Sequence, residues 1–562
     1  MARRHYSGTA AQWRITRPAL AVLVFLVFCL IAASAVAIRH FGSSTTARPT
    51  CGRSVTIKVA VAPGLLSPLQ QYSQLWNNIR FTRDGTCIES RVYSTNAATE
   101  EALLATSGAE QPTIWIPDSS YWVSKLQSDL TTRNADHHIG TLTVHPSVAL
   151  SPLVLVASPS QTAALAAKGS TTWASVAALA GAGELAMENP LLSTEGLLGL
   201  TALQSALGAT AGFALGPLAQ TMSTQALRSV DDGFAQLRAD PQRARPFLAS
   251  EQEVADANAR HGATFATSTY ISDGTLSLDY PVVRLDYPGQ NPVLAPGADG
   301  FYEAFAAQVA AKVTTAGLRD SSGVGRPLAN GDVSTSGLPF TKLSPPAPGT
   351  PAQVWSAWPG AGRDPRVLFA LDVSQLMKQT VGSGETKAGL EVTTALALSG
   401  FLADSAQVGL WGYAVNLTDT LDWLERVSVG ALGDGGRRDA LLNQTSLLSV
   451  PTPDGSALYD TTLAAFYNVA NNYQPGRDND VVVMTGSGNR DATSVTLDQL
   501  LTTLRQQYNP ARPVHIITIA VGDGADNTAL ELISSATGGR SYQADNSTQA
   551  LQFLLDQLVS AR

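Results

Sequence analysis

Along the chain, short apolar runs of strand length alternate with stretches in which apolar residues recur at helical spacing. Ser54 to Ala62 (SVTIKVAVA) reads as a buried strand, Leu66 to Ile79 as a helix and Cys87 to Tyr93 as the next strand. Strands are also predicted at Thr113 to Ile116 and Leu153 to Ala157, with helical stretches between and after them, the signature of an α/β sheet. From Val367 the alternation resumes with strands at Val367 to Asp372, Gln407 to Tyr413, Asp480 to Thr485 and Val514 to Val521. Helices are predicted at Glu385 to Ala403, Ala457 to Asn471, Leu497 to Gln507, Thr528 to Ala536 and Thr548 to Leu558. Near-continuous apolar strands of this kind are buried by a doubly wound, mostly parallel sheet of about six strands with helices on both faces.

Three breaks divide this pattern. Pro18 to Ile38 carries no charge and is long enough, as a helix, to cross the ~30 Å apolar layer of a bilayer. Arg3, Arg4, Arg14 and Arg17 precede it, so the positive-inside rule leaves residues 1–17 in the cytoplasm and exports the bulk of the chain. The other reading of this run is a cleaved signal peptide, for which Ala35-Val36-Ala37 offers the small residues. Residues 39–50 are polar and turn-rich, a tether. Residues 343–366, rich in proline and glycine, predict a linker that sustains neither a helix nor a central strand, with Trp355 and Trp358 docked on a flanking domain. The expected folded regions are therefore 51–342 and 367–562.

Composition narrows the function classes. A chain of 562 residues, 44% hydrophobic and 15% charged, should bury more than one core. A net charge of −8 with no dense Lys/Arg run excludes nucleic acid as the expected partner. Cys29 lies inside the apolar run, which leaves Cys51 and Cys87 as the exported pair, expected to form one structural disulfide. There is no H-E-x-x-H, no spaced Cys/His set, no G-x-S-x-G and no phosphate-cradling loop, so an enzyme is not expected.

The segments LFALDVSQLMKQTV, GSALYDTTLAAF, DVVVMTGSGN and HIITIAVGDGADNTALELISSATGGRSY, spread over residues 362–562, resemble the ordered landmarks of bacterial von Willebrand factor A domains. That resemblance implies a Mg²⁺-dependent adhesion site built from an Asp-x-Ser-x-Ser loop, a second-loop hydroxyl and a third-loop Asp. Asp372 and Ser374 match the first two positions, Ser456 fits the second loop, Leu376 stands at the third hydroxyl position and Gly486 at the third-loop Asp. With two oxygen ligands missing, no tight metal site and no cofactor are expected. Asp372 and Ser374 then read as caps for helix and loop backbone, or as a weak residual site completed by water or Asp491.

Residues 51 to about 340 resemble extracytoplasmic solute-binding proteins with two α/β lobes, as found ahead of a von Willebrand A domain in membrane-anchored actinobacterial surface proteins. PTIWIPDSSYW, SPLVLVAS, ENPLLSTEGLLGL and LSLDYPVV carry the likeness. The resemblance implies that the chain crosses between lobes near the second and fourth of these and that ligand sits in the interlobe cleft. Candidate ligand residues are Asp118, Ser119, Ser120, Ser151, Ser193, Thr194 and Glu195. Ser193-Thr194-Glu195-Gly196 opens a helix and reads either as a plain N-cap or as a site for an oxyanion or carbonyl, with Glu195 opposing an anion. Asp118-Ser119-Ser120 carries the same two readings. The expected function is a non-enzymatic surface receptor that captures a small solute or peptide, with the C-terminal domain making protein contacts. The alternative is an adhesion or structural protein whose cleft is vestigial.

Overall fold

Three β-sheets organise the chain in the computed structural model, which describes residues 52–106, 111–132, 138–262, 264–325, 340–344, 350–358, 365–382, 385–444 and 455–558. The expected membrane segment, the tether and Cys51, hence the Cys51–Cys87 bridge, lie outside the described residues; Cys87 is itself buried.

The first region runs β1 (Arg53–Val61), α1 (Pro63–Ile79), β2 (Thr82–Arg83), β3 (Thr86–Ser94), α2 (Ala97–Ala105), β4 (Ile114–Ile116), α3 (Ser120–Thr132) and β5 (Thr141–His145). It continues through β6 (Ala149–Ala157), α4 (Pro159–Ala167), α5 (Trp173–Gly181), α6 (Thr194–Leu207), α7 (Ala211–Ser223), α8 (Val230–Ala239), β7 (Phe247–Ser250), α9 (Glu251–His261), β8 (Thr267–Thr269) and β9 (Ser277–Asp279). β10 (Val282–Asp286), α10 (Leu294–Thr315), β11 (Arg319–Asp320) and α11 (Thr350–Ala357) complete it.

The first sheet has the order β2-β3-β1-β4-β10-β5, with β1 parallel to β3 and β4 and with β10 antiparallel to β4 and β5. In the second sheet β6 pairs antiparallel with β7, β8, β9 and β11. All nine residues of β6 (ALSPLVLVA) are buried, as a strand covered on both faces must be. The chain therefore passes from the first sheet to the second between β5 and β6, returns between β9 and β10, and crosses a third time from α10 to β11. The first two crossings lie side by side: the Val148 N–H donates to the Tyr280 carbonyl at 2.9 Å, and the Tyr280 N–H to the Ala149 carbonyl at 3.2 Å. Two lobes joined in this way leave a cleft between them.

Among the described residues one helical stretch, Thr194–Ser223, is long and apolar enough to cross a membrane. A 3₁₀ turn at Gly208–Thr210 divides it into α6 and α7, and ten residues of α6 are buried in the second lobe, so it serves as a core helix pair there.

The C-terminal region contains β12 (Arg366–Asp372), α12 (Lys387–Phe401), β13 (Gln407–Tyr413), β14 (Trp423–Ala431), α13 (Arg437–Asn443), α14 (Leu458–Asn471), β15 (Asn479–Thr485), α15 (Leu497–Gln507), β16 (Val514–Val521), α16 (Asn527–Ser535), β17 (Ser541–Ala544) and α17 (Ser547–Leu558). Its sheet has the doubly wound order β14-β13-β12-β15-β16-β17, every pairing parallel except β13 with β14. Strand periodicity sends Val367, Phe369 and Leu371 of β12 to one face and Leu368 and Ala370 to the other. On the first face α12 and α17 supply Leu390, Leu396, Leu551, Leu554 and Leu555 to a core continuous with that of the two lobes. These two helices pack on α2, all nine residues of which are buried.

The segment 343–366 departs from the sequence expectation, because α11 lies inside it. Pro351 falls in the first turn, where a missing N–H costs nothing, and the helix ends before the glycines that follow. α11 packs against α6 and α7; the Trp355 indole N–H donates to the Pro190 carbonyl at 2.7 Å, and Trp358 is 2% exposed. Truncating such a side chain leaves a large cavity, so Trp358→Ala should cost about 3–5 kcal/mol in denaturant unfolding. A loss below about 1 kcal/mol would mean that this segment is not part of the core.

Candidate solute-binding cleft

Between the lobes lies a cavity of about 500 Å³. Four helix-capping residues open onto it: Asn96 of α2, Ser193 of α6, Ser229 of α8 and Ser250 of α9. Converging helix N-termini ordinarily make an anion site. Here donors at three of these starts are engaged by the chain's own groups. The Val230 N–H donates to Glu188 Oε1 at 2.8 Å, the Ser250 N–H to Glu253 Oε2 at 2.9 Å and the Gly196 N–H to Ser193 Oγ at 3.1 Å.

The lining carries six carboxylic side chains, Asp118, Glu188, Glu195, Asp231, Glu253 and Asp256, against two arginines, Arg228 and Arg260. Arg260 is already paired with Asp231 and Asp256, each at 3.1 Å. The other four carboxyls crowd one another. A single hydroxyl, Ser193 Oγ, lies 2.5 Å from Glu188 Oε2 and 3.0 Å from Glu195 Oε2, and Glu195 is also hydrogen-bonded to Glu253, which requires a shared proton. Burial, and then the Glu195 charge, pushes Asp118 up to about 7 and Glu188 up to about 8. Glu195 and Glu253 are raised as well, in both cases first by burial. Gly196 makes this crowding possible, since a Cβ there would overlap the Glu188 carbonyl and hold the first turn of α6 away from Glu188-Asn189-Pro190.

Hydrogen bonds across the cleft latch the lobes together. Thr194 Oγ1 donates to Asp118 Oδ1 at 2.5 Å and accepts from the Trp122 indole at 2.7 Å, while Asn96 Nδ2 donates to the Leu192 carbonyl at 2.9 Å. Of the residues singled out from sequence, Asp118, Ser193, Thr194 and Glu195 line this cavity. Ser119 and Ser120 line a separate cavity of about 150 Å³ beside Asp279 and Lys342. Ser151 is buried and accepts from the Gln252 N–H at 3.0 Å, closing the start of α9. Glu188, Glu253 and Tyr280 were not singled out. Glu253 carried only the S-x-x-E pattern of a capping box, which it also forms, and Glu188 stood in ENPLLSTEG without a role.

At the carboxyl edge of the C-terminal sheet, Asp372 is fully buried; Oδ1 accepts from the Ser374 N–H at 2.9 Å and Oδ2 from Thr485 Oγ1 at 2.7 Å. Ser374 makes no capping bond and its hydroxyl is buried without a partner, whereas the buried Ser456 hydroxyl lies against that of Tyr413. The group that sequence reading missed is Lys387. Its ammonium donates to the Gly486 carbonyl at 2.8 Å and to the Asp523 carbonyl, and it feels the charges of Asp523, Asp372 and Glu391. A Cβ at Gly486 would overlap Lys387 Cδ, so the lysine stem fills the space where an aspartate side chain would begin. Asp491 lies with Asp422 and Asp460, their carboxylate oxygens within 4.8 Å of one another.

No curated protein matches the chain. Among solved structures, an extracellular solute-binding protein from Bordetella parapertussis is similar over 54% of this chain and 98% of its own, at 11% identity and a TM-score of 0.39. Iron-bound HitA from Pseudomonas aeruginosa is similar over 54% of this chain and 98% of its own, at 12% identity and a TM-score of 0.38. A von Willebrand factor type A protein from Catenulispora acidiphila is similar over 35% of this chain and 42% of its own, at 12% identity and a TM-score of 0.28. Residues 57–315 match the family model of bacterial extracellular solute-binding proteins, which makes this stretch a solute-binding-protein-like region.

Proposed function

We propose that the chain is a non-enzymatic extracytoplasmic receptor, anchored by Pro18 to Ile38, that captures a small organic cation between its lobes. The observation that carries the reading is the excess of enclosed carboxyls in a cleft whose helix N-termini are already satisfied from within. An anion would meet Glu188, Glu195 and Glu253, against which the lining sets Arg228 alone, since Arg260 is already paired; a cation would relieve their repulsion. A volume of about 500 Å³ suits a ligand with a body, and Phe234 and Tyr280 offer aromatic surface to it. Among the described residues, the carboxylates that converge tightly enough for a bare metal ion are Asp422, Asp460 and Asp491, outside the cleft. An ammonium, amidinium or guanidinium compound, including a basic peptide end, fits better.

Thermal unfolding of the full chain in detergent tests this with putrescine, agmatine, arginine and choline against sulfate, citrate and glucose. A cation at ~100 times its dissociation constant should stabilise the fold by about 2.7 kcal/mol. Glu188→Gln should weaken its binding at least about tenfold. A shift with sulfate or glucose and none with any cation would refute the reading.

The pH response follows from the raised carboxyls. Unfolded carboxyls titrate near about pH 4, whereas Asp118 and Glu188 in the fold titrate near about 7 and 8, so over that window the folded chain holds more protons. Stability of the ligand-free chain should therefore fall as pH rises from about 5 to 8, and cation affinity should rise over about pH 6 to 8 as protons are displaced. Melting curves and titrations across this range check both signs; Glu188→Gln should flatten each, and an affinity that falls with pH would contradict the assignment.

For the C-terminal domain we propose protein contacts at the carboxyl edge of its sheet without a metal ion. The Lys387 ammonium supports this, because it brings positive charge to Asp372 and Glu391 while its stem occupies the third-loop space. Millimolar Mg²⁺ or Mn²⁺ should leave the melting temperature unchanged. A metal-induced rise abolished by Asp372→Ala would overturn the proposal.

A further inference from the structure

One residue lining the cleft comes from neither lobe. Gln552, on α17 of the C-terminal domain, faces the cavity together with Asn96, Glu188 and Arg228. Its Oε1 lies 3.3 Å from Thr99 Oγ1, on the first turn of α2. Asp556, one turn further along α17, accepts from Gln552 Nε2 at 3.3 Å and feels the positive charge of Arg228 from the second lobe. α17 thus lies along the seam between the lobes, in contact with the first and within electrostatic reach of the second. It is also held firmly: Leu551, Leu554, Leu555 and Leu558 are buried in the shared core, and α12 packs beside it against α2.

Asn96 joins these parts. Its Oδ1 accepts the Thr99 N–H at 3.0 Å and caps α2; its Nδ2 donates to the Leu192 carbonyl of the second lobe; and it lines the cavity. A group entering the cleft beside Asn96 therefore meets the lobe latch and the start of the helix on which the C-terminal domain is seated.

We propose that the C-terminal domain forms a third wall of the solute cleft, with Gln552 as a specificity-determining contact to the bound solute, so that occupancy of the cleft sets how tightly α17 is docked on α2. A two-lobed receptor would otherwise report its ligand through lobe closure alone; here the same solute touches the adjoining domain directly. By linkage, whatever the C-terminal domain binds through a surface coupled to α17 changes solute affinity by the same factor. The choice of an organic cation as probe rests on the functional reading above; the wall does not.

The test has a ligand arm and a ligand-free arm, both on the full chain in detergent. In the first, agmatine is titrated into wild type, Glu188→Gln and Gln552→Ala. Gln552→Ala, which removes an amide hydrogen bond, should weaken binding about three- to tenfold while the ligand-free melting temperature stays within about 2 °C. Agmatine should also slow hydrogen exchange in α17 and α2 of the wild type. In the second, Gln552→Lys places a positive charge at the cavity wall, one turn from Asp556, in a lining that carries Asp118, Glu188, Glu195, Glu253, Asp231, Asp256, Arg228 and Arg260. The fall in stability with rising pH should then move down by at least about half a pH unit. Leu532→Lys, on α16 against the opposite face of the sheet, is the charge-matched control and should leave it in place.

Weaker binding by Gln552→Ala together with the pH displacement supports the wall. The pH displacement without agmatine binding to wild type supports the wall and counts against an organic cation as solute. An unmoved pH profile in Gln552→Lys overturns the wall, as does agmatine binding that Gln552→Ala leaves unchanged.

Discussion

Negative charge enclosed between two lobes without a matching counter-ion is the condition to which the rest of the cleft responds. A carboxylate withdrawn from water must be paired, hydrogen-bonded or protonated. The fold uses the last two remedies together. Helix N-termini and capping serines supply N–H and O–H donors to Glu188, Glu195 and Glu253, and raised proton affinity supplies the remainder at Asp118 and Glu188. These remedies are incomplete by construction, since one hydroxyl proton at Ser193 stands between two carboxyls. On the function proposed, the solute replaces protons, so binding and electrostatic relief of the cleft are one event.

α2 is the mechanical counterpart of that charge. Its small residues, AATEEALLA, allow α12 and α17 to come close, and its two glutamates are buried only because each has a partner: Glu100 accepts from Thr95 Oγ1 at 2.8 Å, and Glu101 pairs with Lys125 at 2.6 Å. A helix buried on all sides cannot move independently of what it touches. The first lobe and the C-terminal domain therefore share one packed element, and the second lobe is joined to them through the crossings at Val148 and Tyr280 and through β11.

Much of the fold was legible because its strands are buried on both faces and so stand out as continuous apolar runs; Gln407–Tyr413 and Val514–Val521 occupy the predicted bounds. β14 escaped notice because it is an edge strand with most positions part-exposed, giving no apolar run. α11 escaped because proline was weighed by its number in the segment and not by its position in a first turn. In the cleft, Ser193 to Glu195 were visible as a helix start near Asp118, but the pattern suggested donors for an oxyanion or carbonyl. The decisive groups, Glu188 and Glu253, come from distant parts of the chain, and no local spacing links them before the lobes meet.

The two crevices of the molecule differ in what stands beside their buried negative charge. At the C-terminal sheet, Asp372 has an ammonium built in nearby: Lys387 is covalently part of the site and its stem excludes a third-loop carboxylate, while Glu391 is pushed up by burial and by the Asp372 charge. In the cleft, among the described residues, no lysine lines the cavity, Arg260 is paired with Asp231 and Asp256, and Arg228 acts on Asp556, so Glu188, Glu195 and Glu253 rely on hydrogen bonds and protons. A site that carries its own cation has little to gain from a diffusible one, whereas a site that carries only protons gains whenever a cation of the right shape displaces them. On the functions proposed above, ligand capture falls to the lobes and protein contact to the C-terminal domain, and Gln552 and Asn96 lie where the two meet.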